Sequence, residues 1–136
     1  MFERISSEFK LSKKKTSLGI LNLSSLPFKP ERLYWISDMK CDEPRGFHAH
    51  KKLNQVLIVI EGRINLKLCR GSRESLFDMK KHDAHIFIPF GTWREIVPIT
   101  KGSTILVIAD RLYEVDDYIS DWDQYINWFS ENIDVC

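Results

Sequence analysis

The stretch Arg45-Gly-Phe-His-Ala-His-Lys51 carries the strongest chemical signal in this chain. At its centre, His48 and His50 are two residues apart. Side chains at that spacing in an extended strand project from the same face, so the two imidazoles enter one space. Such a pair has three uses. It can ligate a metal, given at least one further good donor. It can be a pair of polar groups satisfied inside a core. It can also do acid–base work, because imidazole titrates near neutral pH and one ring can take a proton and return it. Arg45 and Lys51 flank the pair and suit an anionic ligand such as a nucleoside diphosphate; their plainer use is surface charge. Gln55 follows, an amide able to hydrogen-bond an imidazole and hold its tautomer. Further on, Trp93-Arg94-Glu95 offers an aromatic face, a permanent cation and a carboxylate. Trp93 can stack on a ligand ring or serve the core, and Glu95 can pair with Arg94 or orient a histidine. His82 sits in the turn Lys80-Lys-His-Asp83 and reads as exposed and idle.

The elements that position these residues read as short strands. Arg32-Leu-Tyr-Trp-Ile36 is aromatic and β-branched, hence a strand carrying Tyr34. Asp42–Gly46 is a turn into the histidines. Val56–Ile60 is a buried strand, turned back at Glu61-Gly62. Arg63–Leu68 alternates apolar and polar, the mark of a strand with one buried face. Strands follow about Ser75–Met79, His85–Ile88, Trp93–Val97 and Thr104–Ala109. Phe9–Leu23 holds one or two short strands, and Leu26-Pro-Phe-Lys-Pro30 is a loop. Strands this short and this often interrupted predict an antiparallel sandwich or barrel. The end differs: Trp122, Tyr125, Ile126 and Phe129 have the spacing of an amphipathic helix. Ser120 with Asp123 resembles its capping box. This helix is expected to close the barrel or pack on a partner subunit.

A length of 136 residues suits one domain, 1–136. The net charge of +1 gives no bulk attraction to nucleic acid or to an acidic membrane, and neither is expected as a partner. Lys13-Lys-Lys15 reads as a solvated loop. Cys41, Cys69 and Cys136 are odd in number and widely spaced, which is neither a disulfide framework nor a Cys-x-x-Cys site. They read as reduced thiols. No apolar run approaches the ~20 residues that cross a bilayer, and Met1-Phe-Glu-Arg has no hydrophobic signal region. The cytoplasm is the expected compartment.

The histidine stretch resembles the first cupin motif: Gly46, then His48-x-His50, then Gln55 where that motif has Glu, and a closing Gly62. The second motif, Pro-x-Gly-x-x-His, is matched by Pro89-Phe-Gly91-Thr-Trp-Arg94. Two of the four usual metal-ligand positions are therefore changed. Gln55 is a poor replacement for Glu, and Arg94 is cationic, cannot ligate and repels a divalent ion. Further stretches sharpen the resemblance: Leu26-Pro-Phe, Arg32–Ile36, Pro89–Glu95, Val107-Ile-Ala-Asp-Arg-Leu-Tyr113 and Asp116-Asp-Tyr-Ile119. In this order they look like the sugar 3,4-ketoisomerases that act on dTDP-4-keto-6-deoxyglucose. One opening stretch departs: where family members carry an Asp-x-Arg-Gly-x-Leu-like segment near residue 15, this chain reads Lys14-Lys-Thr-Ser-Leu-Gly-Ile20.

The resemblance implies an all-β fold, a small cupin jelly-roll barrel with a C-terminal helix. It implies a dimer; because small barrels expose sheet edges and the N-terminal segment is too irregular to form a strand layer alone, a homodimer is expected with the segment of about residues 1–25 exchanged between subunits. The implied reaction moves the keto group of the sugar from carbon 4 to carbon 3 through an enediol, with no metal and no cofactor. Its product feeds 3-amino-3,6-dideoxysugars of surface polysaccharides such as lipopolysaccharide O-antigen. By the same resemblance His48, His50, Tyr34 and Arg94 are the catalytic set; from their own chemistry Arg45, Lys51, Gln55, Trp93 and Glu95 are the expected substrate contacts. Arg94 and the Tyr34 hydroxyl are suited to the developing oxyanion. Two rival readings stand beside this one. A degenerate cupin could bind a nucleotide sugar without turnover. A metal-dependent cupin, such as a dioxygenase or a phosphomannose-type isomerase, has Arg94 against it.

Overall fold

A computed structural model describes residues 2–134. Met1, Val135 and Cys136, and with them the outer ends of the predicted domain and its third thiol, lie outside the described residues. The strands in chain order are β1 (Arg4–Ile5), β2 (Glu8–Leu11), β3 (Ser17–Ile20), β4 (Arg32–Met39), β5 (Arg45–His50), β6 (Gln55–Glu61), β7 (Arg63–Arg70), β8 (Arg73–Lys80), β9 (His85–Ile88), β10 (Trp93–Pro98), β11 (Ser103–Ala109) and β12 (Tyr118–Ile119). One helix follows, α1 (Trp122–Asn132). The expected strands are all present; β6 and β8 are longer at both ends, β4, β7, β10 and β11 at one end, and β9 has the expected bounds.

Two five-stranded antiparallel sheets form, in the orders β1-β9-β6-β11-β4 and β12-β5-β10-β7-β8. β2 and β3 pair only with each other. The layers make a jelly-roll sandwich, not a barrel closed by hydrogen bonds. The physical reason lies at the edges: β1 and β12 are two residues long, too short to carry a ladder from one sheet to the other.

The core follows from period-2 alternation. Ile64, Leu66 and Leu68 of β7 are fully buried against Leu57, Val59, Ile86, Ile105 and Val107 of the facing sheet. β6 reads as a continuous apolar run because both of its faces are covered. Val56 and Ile58 pack outward on Ile5, Leu26 and Ile108. Burying each such aliphatic side chain contributes about 1.5–3 kcal/mol.

The cap of α1 differs from the expectation. Asp121, not Ser120, is the N-cap; its carboxylate accepts from the Gln124 N–H at 2.9 Å. Asp121 is extended and stands immediately before the first helical residue, where a short acidic side chain reaches back to the third amide and favours the positive end of the dipole. The helix buries Tyr125 and Phe129 against Ala49, Cys69, Trp93 and Ile119. The Tyr125 hydroxyl lies 2.9 Å from the Cys69 carbonyl, 2.8 Å from the Gly91 carbonyl and 2.9 Å from the Gly71 N–H. α1 therefore covers the outer face of the second sheet, beside the part of β5 that carries the histidines. No helix of the described residues is long and apolar enough to cross a membrane.

Candidate active site

Along several strands the inward face changes from apolar to polar at the end where β5 carries the histidines. On β6, Gln55 precedes Leu57 and Val59; on β10, Arg94 precedes Ile96; on β4, Arg32 and Tyr34 precede Ile36. Strand pairing puts these termini together. Gln55 and Arg32 both face Ala109 of β11, and Arg94 faces His48. The two sheets are joined there by Arg94, whose Nη1 donates to Gln55 Oε1.

The close approach of β5 to β10 needs a residue without a side chain. Gly46 has φ of 93°, and a Cβ there would lie 2.8 Å from the Arg94 carbonyl oxygen. The pairing shifts register between Arg94 and Glu95 opposite this point. Beyond the kink, His48 and His50 project inward as the i, i+2 spacing predicts. Their rings are edge to face, 5.0 Å apart. Tyr118 of β12 lies against both, at 5.0 Å from His48 and 4.3 Å from His50.

Hydrogen bonds set the proton positions. His48 Nδ1 is 2.9 Å from the Gly46 carbonyl, which only accepts, so Nδ1 carries the hydrogen and Nε2 keeps its lone pair. His50 Nδ1 is 2.9 Å from Asp117 Oδ2, and its buried Nε2 has no protein partner. The orientation of Gln55 is fixed by the same logic. A guanidinium only donates, so Oε1 faces Arg94 and Nε2 donates to the Tyr34 oxygen at 3.0 Å. The Tyr34 proton is thereby left to point elsewhere.

The electrostatics agree. Burial first, then the Arg94 charge, hold His48 down to about 4, against the smaller opposing effect of the Gly46 carbonyl. His50 is pushed down in the same order, with His48 and Arg32 adding to it. Burial raises Tyr34, opposed by Arg94 and Gln55. Burial lowers Arg94 to about 10, so it stays charged at neutral pH. The site thus holds two neutral imidazoles, a protonated phenol and a guanidinium. A folded His48 near 4 refuses a proton that the unfolded chain accepts near 6.5, so stability is complete above pH 6.5 and is lost as pH falls towards 4. His48 alone accounts for about 3 kcal/mol of this loss, and His50 and His85 act in the same direction. Calorimetric Tm is expected to fall steadily between pH 7 and pH 4.5; a flat profile would contradict the burial of these rings.

Four of the expected substrate contacts are not brought into this cluster. Arg45 lies beyond the bulge of β5, opposite Ile96, where its side chain is exposed and 3.9 Å from Glu43. Lys51 is exposed beyond the end of the strand. Trp93 and Glu95 share the other face of β10 from Arg94. The Trp93 indole N–H donates to Glu95 at 3.0 Å, and its ring packs on Trp122 and Tyr125. Glu95 lies 3.7 Å from Lys67 and does not meet Arg94. Gln55 is central but serves Tyr34 and Arg94, not an imidazole. Sequence reasoning missed Asp117, Tyr118 and Arg32, whose guanidinium lies 5.2 Å over the Tyr34 ring. Asp116-Asp-Tyr-Ile119 was a recognisable stretch, yet no spacing rule links Asp117 to His50, 67 positions away. His82 is also not idle: Phe9 packs on it at 4.6 Å and Ser17 bonds it at 2.9 Å, holding the β2–β3 hairpin. Among the described residues no three His, Cys, Asp or Glu side chains converge as a ligand group. A groove of about 520 Å³ lies elsewhere, between that hairpin and the outer face of the first sheet.

The chain is similar to known proteins over most of its length. The family model FdtA (WxcM-like, C-terminal) matches residues 4–130. A TDP-4-oxo-6-deoxy-alpha-D-glucose-3,4-oxoisomerase of Aneurinibacillus thermoaerophilus is 31% identical over 107 residues, covering 79% of this chain and 77% of its own. A 3,4-ketoisomerase crystal structure from Helicobacter canadensis superposes with a TM-score of 0.86 at 33% identity, covering 95% of this chain and 97% of that one. QdtA, a 3,4-ketoisomerase of Thermoanaerobacterium thermosaccharolyticum, was solved as a histidine-to-asparagine mutant in complex with TDP-4-keto-6-deoxyglucose. It superposes with a TM-score of 0.88 at 28% identity, covering 97% and 96% of the two chains.

Proposed function

This chain belongs to the FdtA family (WxcM-like, C-terminal), and from that premise we propose that it is a 3,4-ketoisomerase acting on TDP-4-keto-6-deoxyglucose. The observation that carries the reading is the pair of imidazoles, each with its Nε2 lone pair free, beside Tyr34 and Arg94 between the two sheets. A hydrogen on the carbon beside a ketone is acidic enough for a neutral imidazole to remove. His48 takes it from carbon 3. The charge that develops on the carbon 4 oxygen is met by the Arg94 guanidinium and the free Tyr34 proton. The enediol then loses its carbon 3 hydroxyl proton and gains a proton at carbon 4, so atoms and electrons balance within the sugar. The 3-keto product is the substrate class for amino transfer to carbon 3. On this reading the protein works in the cytoplasm, where nucleotide sugars are made.

The test is incubation with TDP-4-keto-6-deoxyglucose and NMR of the product. A 3-keto isomer is expected, with solvent deuterium entering at carbon 4 in heavy water. Tight binding of the sugar without turnover would instead favour a degenerate cupin. Turnover is expected to survive exhaustive chelation, because Gln55 is already held by Tyr34 and Arg94 and the guanidinium repels a divalent ion. Loss of activity with EDTA, restored by one specific metal, would sink that claim.

The assembly we propose is a homodimer in which the segment of about residues 1–25 engages the partner. β4 is an edge strand of the first sheet and presents Leu33 and Trp35 outward, 51% and 65% exposed. Exposed apolar edges invite pairing unless covered. Light scattering at micromolar concentration is expected to give twice the chain mass; a monomer would remove the idea.

A further inference from the structure

His48 and His50 look equivalent in the sequence but are held differently. The partner of His48 is a main-chain carbonyl, which the fold fixes. The partner of His50 is a side chain, Asp117, itself 5% exposed and contributed by the short helical turn Val115–Asp117 just before β12. Both oxygens of Asp117 are occupied: Oδ1 accepts the Lys52 N–H at 2.7 Å, and Oδ2 faces His50 Nδ1 at 2.9 Å. The main chain repeats the link, since the Asp117 carbonyl accepts the Lys51 N–H at 2.9 Å. His50 itself is 1% exposed, and its Nε2 is buried with no partner. A buried acceptor left bare is costly unless something binds it.

We propose that Asp117 is a positioning residue that holds His50 in the Nδ1–H tautomer, so that Nε2 is presented as an acceptor for a hydroxyl of the bound sugar. The proposal rests on the ketoisomerase reading but not on its details. A carboxylate with no hydrogen to give can face only a protonated Nδ1. A carboxylate also stabilises an imidazolium, so His50 can hold the hydroxyl proton while the keto group changes place. A carbonyl partner such as that of His48 lends no such charge.

Asp117→Asn isolates this role, because the amide keeps the size of the side chain. Its single oxygen must stay on the Lys52 N–H, which turns the amide nitrogen towards His50. That nitrogen only donates, so Nδ1 must accept and the hydrogen moves to Nε2. The same reasoning explains the inactive tautomer when the aspartate of a serine-protease triad becomes asparagine, an established case in another fold.

The experiment is long-range 1H–15N NMR of the full chain, free of ligand, with the His50 signals assigned by comparison with His50→Gln. The wild type is expected to show Nδ1 protonated, and Asp117→Asn to show Nε2 protonated. Alongside it, kcat of Asp117→Asn is expected to fall by about 100-fold or more, with KM for the TDP-sugar changed only a few-fold. An Nε2–H tautomer in the wild type overturns the proposal even if the variant fails to fold. So does a variant with the wild-type tautomer, or an inverted tautomer with unchanged kcat. The tautomer needs no substrate, so a wild type that is inactive on TDP-4-keto-6-deoxyglucose, with His50 protonated as described, would refute the assigned reaction and leave the positioning of His50 standing.

Discussion

His48→Asn is expected to lower kcat by about 100-fold or more, as the loss of a general base does, with KM for the TDP-sugar almost unchanged. The asparagine amide occupies the place of Nδ1 and can still donate to the Gly46 carbonyl that now lies 2.9 Å from the ring, so the kink of β5 is preserved. What disappears is the Nε2 lone pair. Because burial and Arg94 hold His48 near 4, the wild-type ring is a ready base throughout the neutral range. Exchange of the carbon 3 hydrogen with solvent deuterium should fall in parallel with turnover. Near-normal turnover in this variant would move the base to His50 or to another group.

Arg94→Met has the second large effect, in two linked measurements. Removing one preorganised donor to a developing oxyanion costs about 100- to 1000-fold in kcat. Arg94 is 3% exposed, so its charge acts with little screening by water. The second measurement is the acid limb of the rate profile. In the wild type, kcat is expected to hold as pH falls until His48 protonates near 4. The Arg94 charge is the second cause of that low value, after burial. Without it the imidazole keeps its proton to a higher pH, so the limb moves up towards 6.5 and stops short of it because burial remains. The variant also frees Gln55, whose amide can then turn its oxygen to Tyr34 and draw the phenol proton away from the sugar. Far-ultraviolet dichroism separates these effects from misfolding. A reduced kcat with an unmoved acid limb would mean that the guanidinium does not act on His48.

Much of the site was open to local reasoning. Period-2 alternation is a property of the single strand, so His48 and His50 could be put on one face without knowing any partner. Applied with the same strictness, it separates Arg94 from both Trp93 and Glu95. The bulge was not legible: with Gly46 and Phe47 both at positive φ, one residue drops out of the pairing, and Arg45 faces Ile96 in the phase in which His48 faces Arg94. The helix was legible from its apolar spacing, and its cap was misplaced by one residue because two acceptors, Ser120 and Asp121, stand next to each other.

The sequence by itself determined the strand pattern, the paired imidazoles, the terminal helix and, through its resemblance, the family and the set His48, His50, Tyr34 and Arg94. Only the tertiary structure decided what holds that set. The pairing of β12 with β5 brings Asp117 and Tyr118 to the histidines. The bond from Arg94 across the two sheets gives Gln55 its orientation and Tyr34 its free proton. The open edges that make the fold a sandwich were decided there as well. Alternation and turn chemistry are set by neighbours in the chain, whereas a tautomer or a proton's direction is set by whichever acceptor the packing of distant strands delivers.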